Sequence, residues 1–157
     1  MSVSIKLEGV GSVQAVFREL ADEIGDKKAN SKILVPAVRE AMKPVLAKAR
    51  ADAPVDTGGL RRSLQVEARR PNRKDKRSKY IANTDTVISL VTTAPGKKLA
   101  KLGIKSDARA IAQEFGTAKH PAHPYLRVAL ESQSTSVVNN LAGILARRID
   151  KYKKANL

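Results

Sequence analysis

Asp56-Thr57-Gly58 is the triplet with which a dimeric aspartic protease brings two carboxylates together over one shared proton. That chemistry needs an apolar strand leading into the triplet, a flap, and a dry pocket between subunits. Here the lead-in is a helical stripe that ends in Ala53-Pro54-Val55, so the triplet reads as a turn. His120 and His123 are candidate ligands, but Pro121 and Pro124 surround them and the chain has no cysteine and no paired third ligand. Ser63 has no histidine that a sequence signature places to activate it, and Gly9-Val10-Gly11 lacks the rest of a phosphate-binding fingerprint. These residues assemble no catalytic set, no cofactor site and no metal site.

The strongest chemical signal is electrostatic. Thirty Lys and Arg against fifteen Asp and Glu give a net charge of +15, a surface that repels itself and attracts polyanions. Nucleic acid, an acidic protein surface or an anionic membrane would each satisfy it, and composition alone does not choose. The charge is densest between residues 69 and 79, where Arg69, Arg70, Arg73, Lys74, Lys76, Arg77 and Lys79 face only Asp75 and no apolar residue intervenes. Such a segment reads as a loop, disordered when the protein is alone, that contacts DNA or an acidic partner. Aromatic residues make up 3% of the chain, so DNA would be held by its backbone without sequence preference. Contact with roughly five phosphates would give a slope of log affinity against log salt of about −4 to −5.

The elements that must position these residues follow from apolar periodicity. Leu34, Ala37, Val38, Ala41, Met42, Val45, Leu46 and Ala49 recur at helical spacing, predicting a central helix over residues 31–51. Pro36 falls in its first turn, Asn30 or Ser31 is its N-cap, and Pro44 kinks it without breaking it. Residues 26–32 are polar and read as a loop. Beyond the hinge at Pro54, Asp56, Thr57, Gly58 and Gly59, the apolar period changes from helical to alternating, and residues 64–68 form a half-buried strand. Further strands are expected at 80–83 and 86–92, the simplest pairing being a hairpin across the basic loop.

At the N-terminus, Val3, Ile5 and Leu7 alternate as a short strand, followed by a helix that buries Val13, Phe17, Leu20, Ala21 and Ile24 and stops at Gly25. Near the other end, Asp107 caps a short helix ended by Gly116, and a long helix from Tyr125 carries Leu126, Ala129, Leu130, Val137, Leu141, Ile144, Leu145 and Ile149. Its polar middle, 132–136, is expected to bend or fray. The tail, 147–157, is basic. The expectation is one domain over residues 1–157, of α+β class: a small, mostly antiparallel sheet packed by a long central helix and a long C-terminal helix. With 42% hydrophobic residues, many of them alanine, the core is aliphatic and thin. No apolar run approaches about 18 residues, and the N-terminus does not read as a cleaved leader, so neither a membrane nor export is expected.

Three ordered blocks resemble the HK97 gp10-like family of tailed-phage neck and tail-completion proteins. They are Ala53-Pro54-Val55-Asp56-Thr57-Gly58-Gly59-Leu60-Arg61-Arg62-Ser63-Leu64, then Gln113-Glu114-Phe115-Gly116-Thr117, then Pro121-Ala122-His123-Pro124-Tyr125-Leu126-Arg127-Val128-Ala129-Leu130. The resemblance spans about residues 13 to 150, with Tyr125 where phenylalanine is common and a basic insertion longer than the pattern requires. It implies a non-enzymatic virion component, made in the host cytoplasm, that forms a homo-oligomeric ring of six or twelve copies at the head-tail junction or the top of the tail. Its partners would be head-closure or connector proteins, tail-terminator or tail-tube proteins, and DNA in the lumen. The motif residues would serve as scaffold: Pro54 and Gly58 setting the hinge, Asp56 and Thr57 bonding its backbone, Phe115 and Tyr125 anchoring loops in the core, and Arg127 pairing with a carboxylate. From a different class, a free-standing, sequence-independent nucleic-acid-binding protein is the alternative.

Overall fold

A computed structural model describes residues 11–55, 58–104 and 109–156. The expected first strand at Val3, Ile5 and Leu7, the hinge residues Asp56 and Thr57, the cap Asp107 and the side chain of Val13 lie outside the described residues. The fold is α+β, largely helical, with one two-stranded antiparallel sheet and a long C-terminal helix. The chain divides into two compact units, one drawn from residues up to 41, 68–90 and from 135 onward, the other from 42–67 and 91–134.

Helix α1, Gly11–Ile24, opens the first unit and ends at Gly25 with φ of 88°. The polar stretch expected to be a loop is helical instead. Amides of Lys28 and Ala29 donate back to the Gly25 carbonyl, starting α2, Asp26–Ala29, which passes through a π turn, Asn30–Leu34, into α3, Val35–Ala41. Polarity misleads here because Ala29, Ile33 and Ala37 fall four residues apart and are all buried, so a helical stripe hides among lysines. Asn30 is consequently no N-cap: it lies inside the helix, buried. Leu20, Ile33, Ala37 and Ala41 pack with Ile144, Leu145 and Ile149 of the C-terminal helix α8, Leu126–Asn156. Glu40 joins the same elements, accepting from Arg147 at 3.1 Å and from Arg148 at 2.6 Å, a partly exposed arrangement worth about 1 kcal/mol.

The expected unbroken central helix is interrupted. α3 stops at Ala41 and α4, Lys43–Asp52, restarts after Met42, whose φ and ψ of −80° and −4° leave the regular helical range. Pro44 supplies the reason, since it has no N–H for the Glu40 carbonyl and its ring crowds that carbonyl. Strand β1, Leu64–Arg69, pairs with β2, Ile88–Thr93, and the Ala94 amide continues the pairing to the Ser63 carbonyl at 2.7 Å. The strand expected at 80–83 does not form. Those residues turn, with the Ala82 amide donating to the Asp85 carboxylate at 2.9 Å and Tyr80 lying 73% exposed.

In the second unit, Met42, Val45, Ala49, Ala53, Leu64, Ala94, Leu99, Ala110, Tyr125 and Ala129 are buried. Half of the buried apolar residues of the described chain are alanine, which makes the core as thin as composition suggested. Three short helices belong to this unit: α5, Gly59–Ser63, α6, Gly96–Lys101, and α7, Arg109–Phe115. Neither α5 nor α6 was expected. Helix α8 runs 31 residues unbroken, so residues 132–136 do not fray. Hydroxyls of Ser132 and Ser134 donate to the carbonyls of Ala129 and Glu131 within the helix, so the polar middle serves its own backbone.

Candidate functional site: two joints and a basic loop

The first block forms a joint between α4 and β1. After Asp52 the chain turns extended at Ala53 (φ −61°, ψ 134°), as a residue before proline must, and Gly58, with φ of 72°, starts α5. Helix α4 leaves carbonyls without helical donors at its C-terminus, where the dipole is negative. Arg61 supplies both needs, donating from Nε to the Ala53 carbonyl at 3.2 Å and from Nη2 to the Ala51 carbonyl at 3.0 Å. Arg50 braces the far side through the Leu64 carbonyl at 2.8 Å. Ser63 is buried with its Oγ donating to the Leu60 carbonyl at 2.6 Å, which turns the hydroxyl toward the backbone of its own helix. Pro54, Gly59 and Leu60 are half-buried around this turn.

The second and third blocks meet in a single joint built on one carboxylate. Glu114 is 4% exposed, yet its Oε2 accepts from the amides of Tyr125 and Leu126, both at 2.8 Å, and its Oε1 from the amide of Arg127 at 3.0 Å. These are the orphan donors at the start of α8, so a negative charge from another helix caps the positive end of a 31-residue dipole. Charge-assisted bonds of this kind offset the desolvation of a buried carboxylate. The loop between them is closed by reciprocal bonds of Thr117 and His120 and by the His123 amide donating to the Gln113 carbonyl at 2.7 Å. Gly116 has φ of 75°, and a Cβ there would lie 2.8 Å from the Ala122 amide nitrogen, so the loop accepts no side chain at this point.

Tyr125 is buried in this joint, 2% exposed, and burial raises its phenol pKa, with the Glu114 charge adding to the effect. Phe115 does not anchor anything: it is 69% exposed, turned about 100° around α7 from Glu114, so its expected core role is withdrawn. The reason is helical phase. Glu114 and Ala110 take the inward positions, leaving Ile111 and Phe115, four apart, pointing outward. Arg127 meets the carboxylate of Glu114 through its main-chain amide, while its side chain is exposed. Thr117 and Pro124 are exposed, as are His120 and His123, and among the described residues no three His, Cys, Asp or Glu cluster as a metal site would require.

The basic loop is folded, against the expectation of disorder. Arg69 and Asp75 form a two-pronged ion pair, one prong 3.0 Å long between Nη2 and Oδ1. Asp75 also accepts the Asn72 amide at 2.7 Å, while the Asn72 side chain accepts the amides of Lys74 and Asp75, closing an Asx turn into a 3₁₀ turn at Asp75–Arg77. The Arg69 guanidinium and the Asn72 amide hold the Asp75 carboxyl at a pKa of about 2. Arg69 is thus spent on the scaffold, whereas Arg70, Arg73, Lys74, Lys76, Arg77 and Lys79 are exposed. Tyr80 extends this face, with the Lys79 ammonium 5.0 Å from its ring.

Both joints and the loop build supports and a charged surface. The profile of a phage protein family described as "Bacteriophage HK97-gp10, putative tail-component" matches residues 15–116, more than half of the chain. The chain therefore belongs to the HK97 gp10-like family of bacteriophage tail components. The match takes in the first block and Glu114, and ends at Gly116, before the third block. No curated protein and no solved structure gives a significant match. Among the described residues no helix is long and apolar enough to cross a membrane. Membership assigns the chain to the phage tail, as a structural part of the virion.

Proposed function

We propose that this tail component completes the tail as a closed homo-oligomeric ring of six or twelve copies, at the head-tail junction or the top of the tail, so that filled head and finished tail can dock. It does so without catalysis, and its neighbours are head-closure or connector proteins on one side and tail-terminator or tail-tube proteins on the other. Assembly takes place in the host cytoplasm. The observation that carries this reading is the loop at 69–79, which spends one arginine and its single acid on its own scaffold and holds six cations out to solvent. Repeated around a ring, such loops form a continuous positive rim suited to DNA passing through the lumen or to an acidic partner ring. The thin, alanine-rich core agrees with a subunit that gains stability from its neighbours.

Native mass spectrometry and negative-stain imaging of the purified protein, alone and with assembled tails, test the reading. Closed rings, and density at the tail top in particles, are expected. A monomer that binds duplex DNA with a salt slope of about −4 to −5 and joins no tail would replace this reading with the free-standing nucleic-acid binder.

A further inference from the structure

A second cationic surface lies in the unit formed by 42–67 and 91–134, on different residues from the loop. Arg50, Ala51, Arg61, Arg62, Leu102 and Ile104 line a cleft of about 550 Å³. Two of its three cations are fixed in place. Arg50 and Arg61 are held by main-chain carbonyls of Leu64, Ala53 and Ala51, partners that orient a guanidinium without neutralising its charge. Its apolar floor is fixed as well. Helix α6 ends in a Schellman motif, in which the Gly103 amide donates to Ala100 at 3.1 Å and the Ile104 amide to Leu99 at 2.9 Å. That turn sets Leu102, 48% exposed, and Ile104 beside the arginines.

We propose that this cleft binds an acidic segment of another protein, one that brackets an aliphatic or aromatic side chain with carboxylates. Three arginines with two of their guanidiniums already immobilised recognise carboxylates at low entropic cost, and arginine next to apolar contacts is the usual composition of an interface hot spot. A phosphodiester backbone would meet the arginines but has nothing to place on Ala51, Leu102 and Ile104. A second copy of this chain brings a net charge of +15 against the same cations. The favoured occupant is therefore a different, acidic protein.

The test uses the full chain and fluorescence anisotropy, with a labelled ten-residue peptide of alternating glutamate and leucine, the same peptide with serine for leucine, and a labelled DNA duplex. Arg62 and Leu102 are the residues to change, because both are exposed and neither makes the hydrogen bonds that hold the cleft. The glutamate-leucine peptide should bind, and Arg62→Glu and Leu102→Ser should each weaken it by about tenfold or more with an unchanged circular dichroism spectrum. The serine peptide should bind at least about tenfold more weakly to the parent chain, and glutamine at the exposed 69–79 cations should weaken the glutamate-leucine peptide less than Arg62→Glu does. Failure of the peptide to bind, equal binding of the serine peptide, or a duplex affinity that depends on Arg62 and Leu102 would each overturn the proposal.

Discussion

Two acidic side chains organise two segments of this molecule, and they do so on opposite terms. Glu114 is buried and satisfies three amides at the start of the longest helix, so the carboxylate is a structural keystone whose loss orphans main-chain donors away from water. Asp75 is half-buried within a surface loop and holds one arginine and one amide, shaping a loop whose six other cations are exposed. The first device stabilises the subunit. The second displays charge without stabilising much, which suits a surface meant for a partner.

The largest effect should come from Glu114→Ala. Three amides lose a charged acceptor, and unfolding free energy should fall by about 3–4 kcal/mol, lowering the melting temperature by roughly 10 °C in a denaturation series. A loss under about 1 kcal/mol would show that the joint does not carry the helix. Gly116→Ala comes next, at about 1–3 kcal/mol, because the new Cβ would crowd the Ala122 amide in a left-handed backbone. Tolerance without cost there would mean the loop can open. Asp75→Asn should leave the melting temperature unchanged while the amide resonances of residues 70–78 move toward random-coil positions.

Acid should act on the same loop. The Asp75 pKa in the folded chain is about 2 against an ordinary 3.8, so its contribution to loop order is complete above the ordinary value and disappears as pH falls through about 2. Loss of the loop's ordered resonances already at pH 5 would contradict the ion pair. The smallest effect should be that of Phe115→Ser, within about 0.5 kcal/mol, since its ring already faces water. A large destabilisation would restore the core role that the fold denies it.

Much of the fold was legible in the chain. The first and last helices, the change of period at Pro54, strand β1 and the stop at Gly116 follow from side-chain spacing and backbone chemistry, and each forms within a residue or two of its expected place, whereas the central helix starts five residues early and is interrupted at Met42. Errors arose where local polarity and tertiary need disagreed. Residues 26–32 look like a loop because lysines outnumber apolar groups, yet Ala29 and Ile33 alone suffice to bury a helical face. Tyr80-Ile81-Ala82 looks like a strand, but Ser78 and Asp85 supply turn acceptors to its amides.

The site was legible in parts. The family resemblance names Glu114 and Tyr125 in two separate blocks, but that a carboxylate from one block caps a helix begun by the next is a long-range contact that no periodicity reports. The loop at 69–79 was read as disordered on charge alone, although Asn72 three residues before Asp75, with Arg69 six before it, is a readable turn-and-bridge pattern. The cleft beside Arg62 left one unread clue. Pro95-Gly96 followed by Leu99, Leu102 and Gly103 is a short helix with its stop signal, and reading it would have placed Leu102 and Ile104.

We propose that the exposed cations of 69–79 act in assembly and not in folding. Replacing Arg70, Arg73, Lys74, Lys76, Arg77 and Lys79 by glutamine, and supplying that chain to a phage lacking its own copy, tests it most directly by counting joined particles against free heads and tails. The variant should fold with parent-like circular dichroism, while filled heads and finished tails accumulate unjoined. Normal particle yield and infectivity from the same folded variant would contradict it.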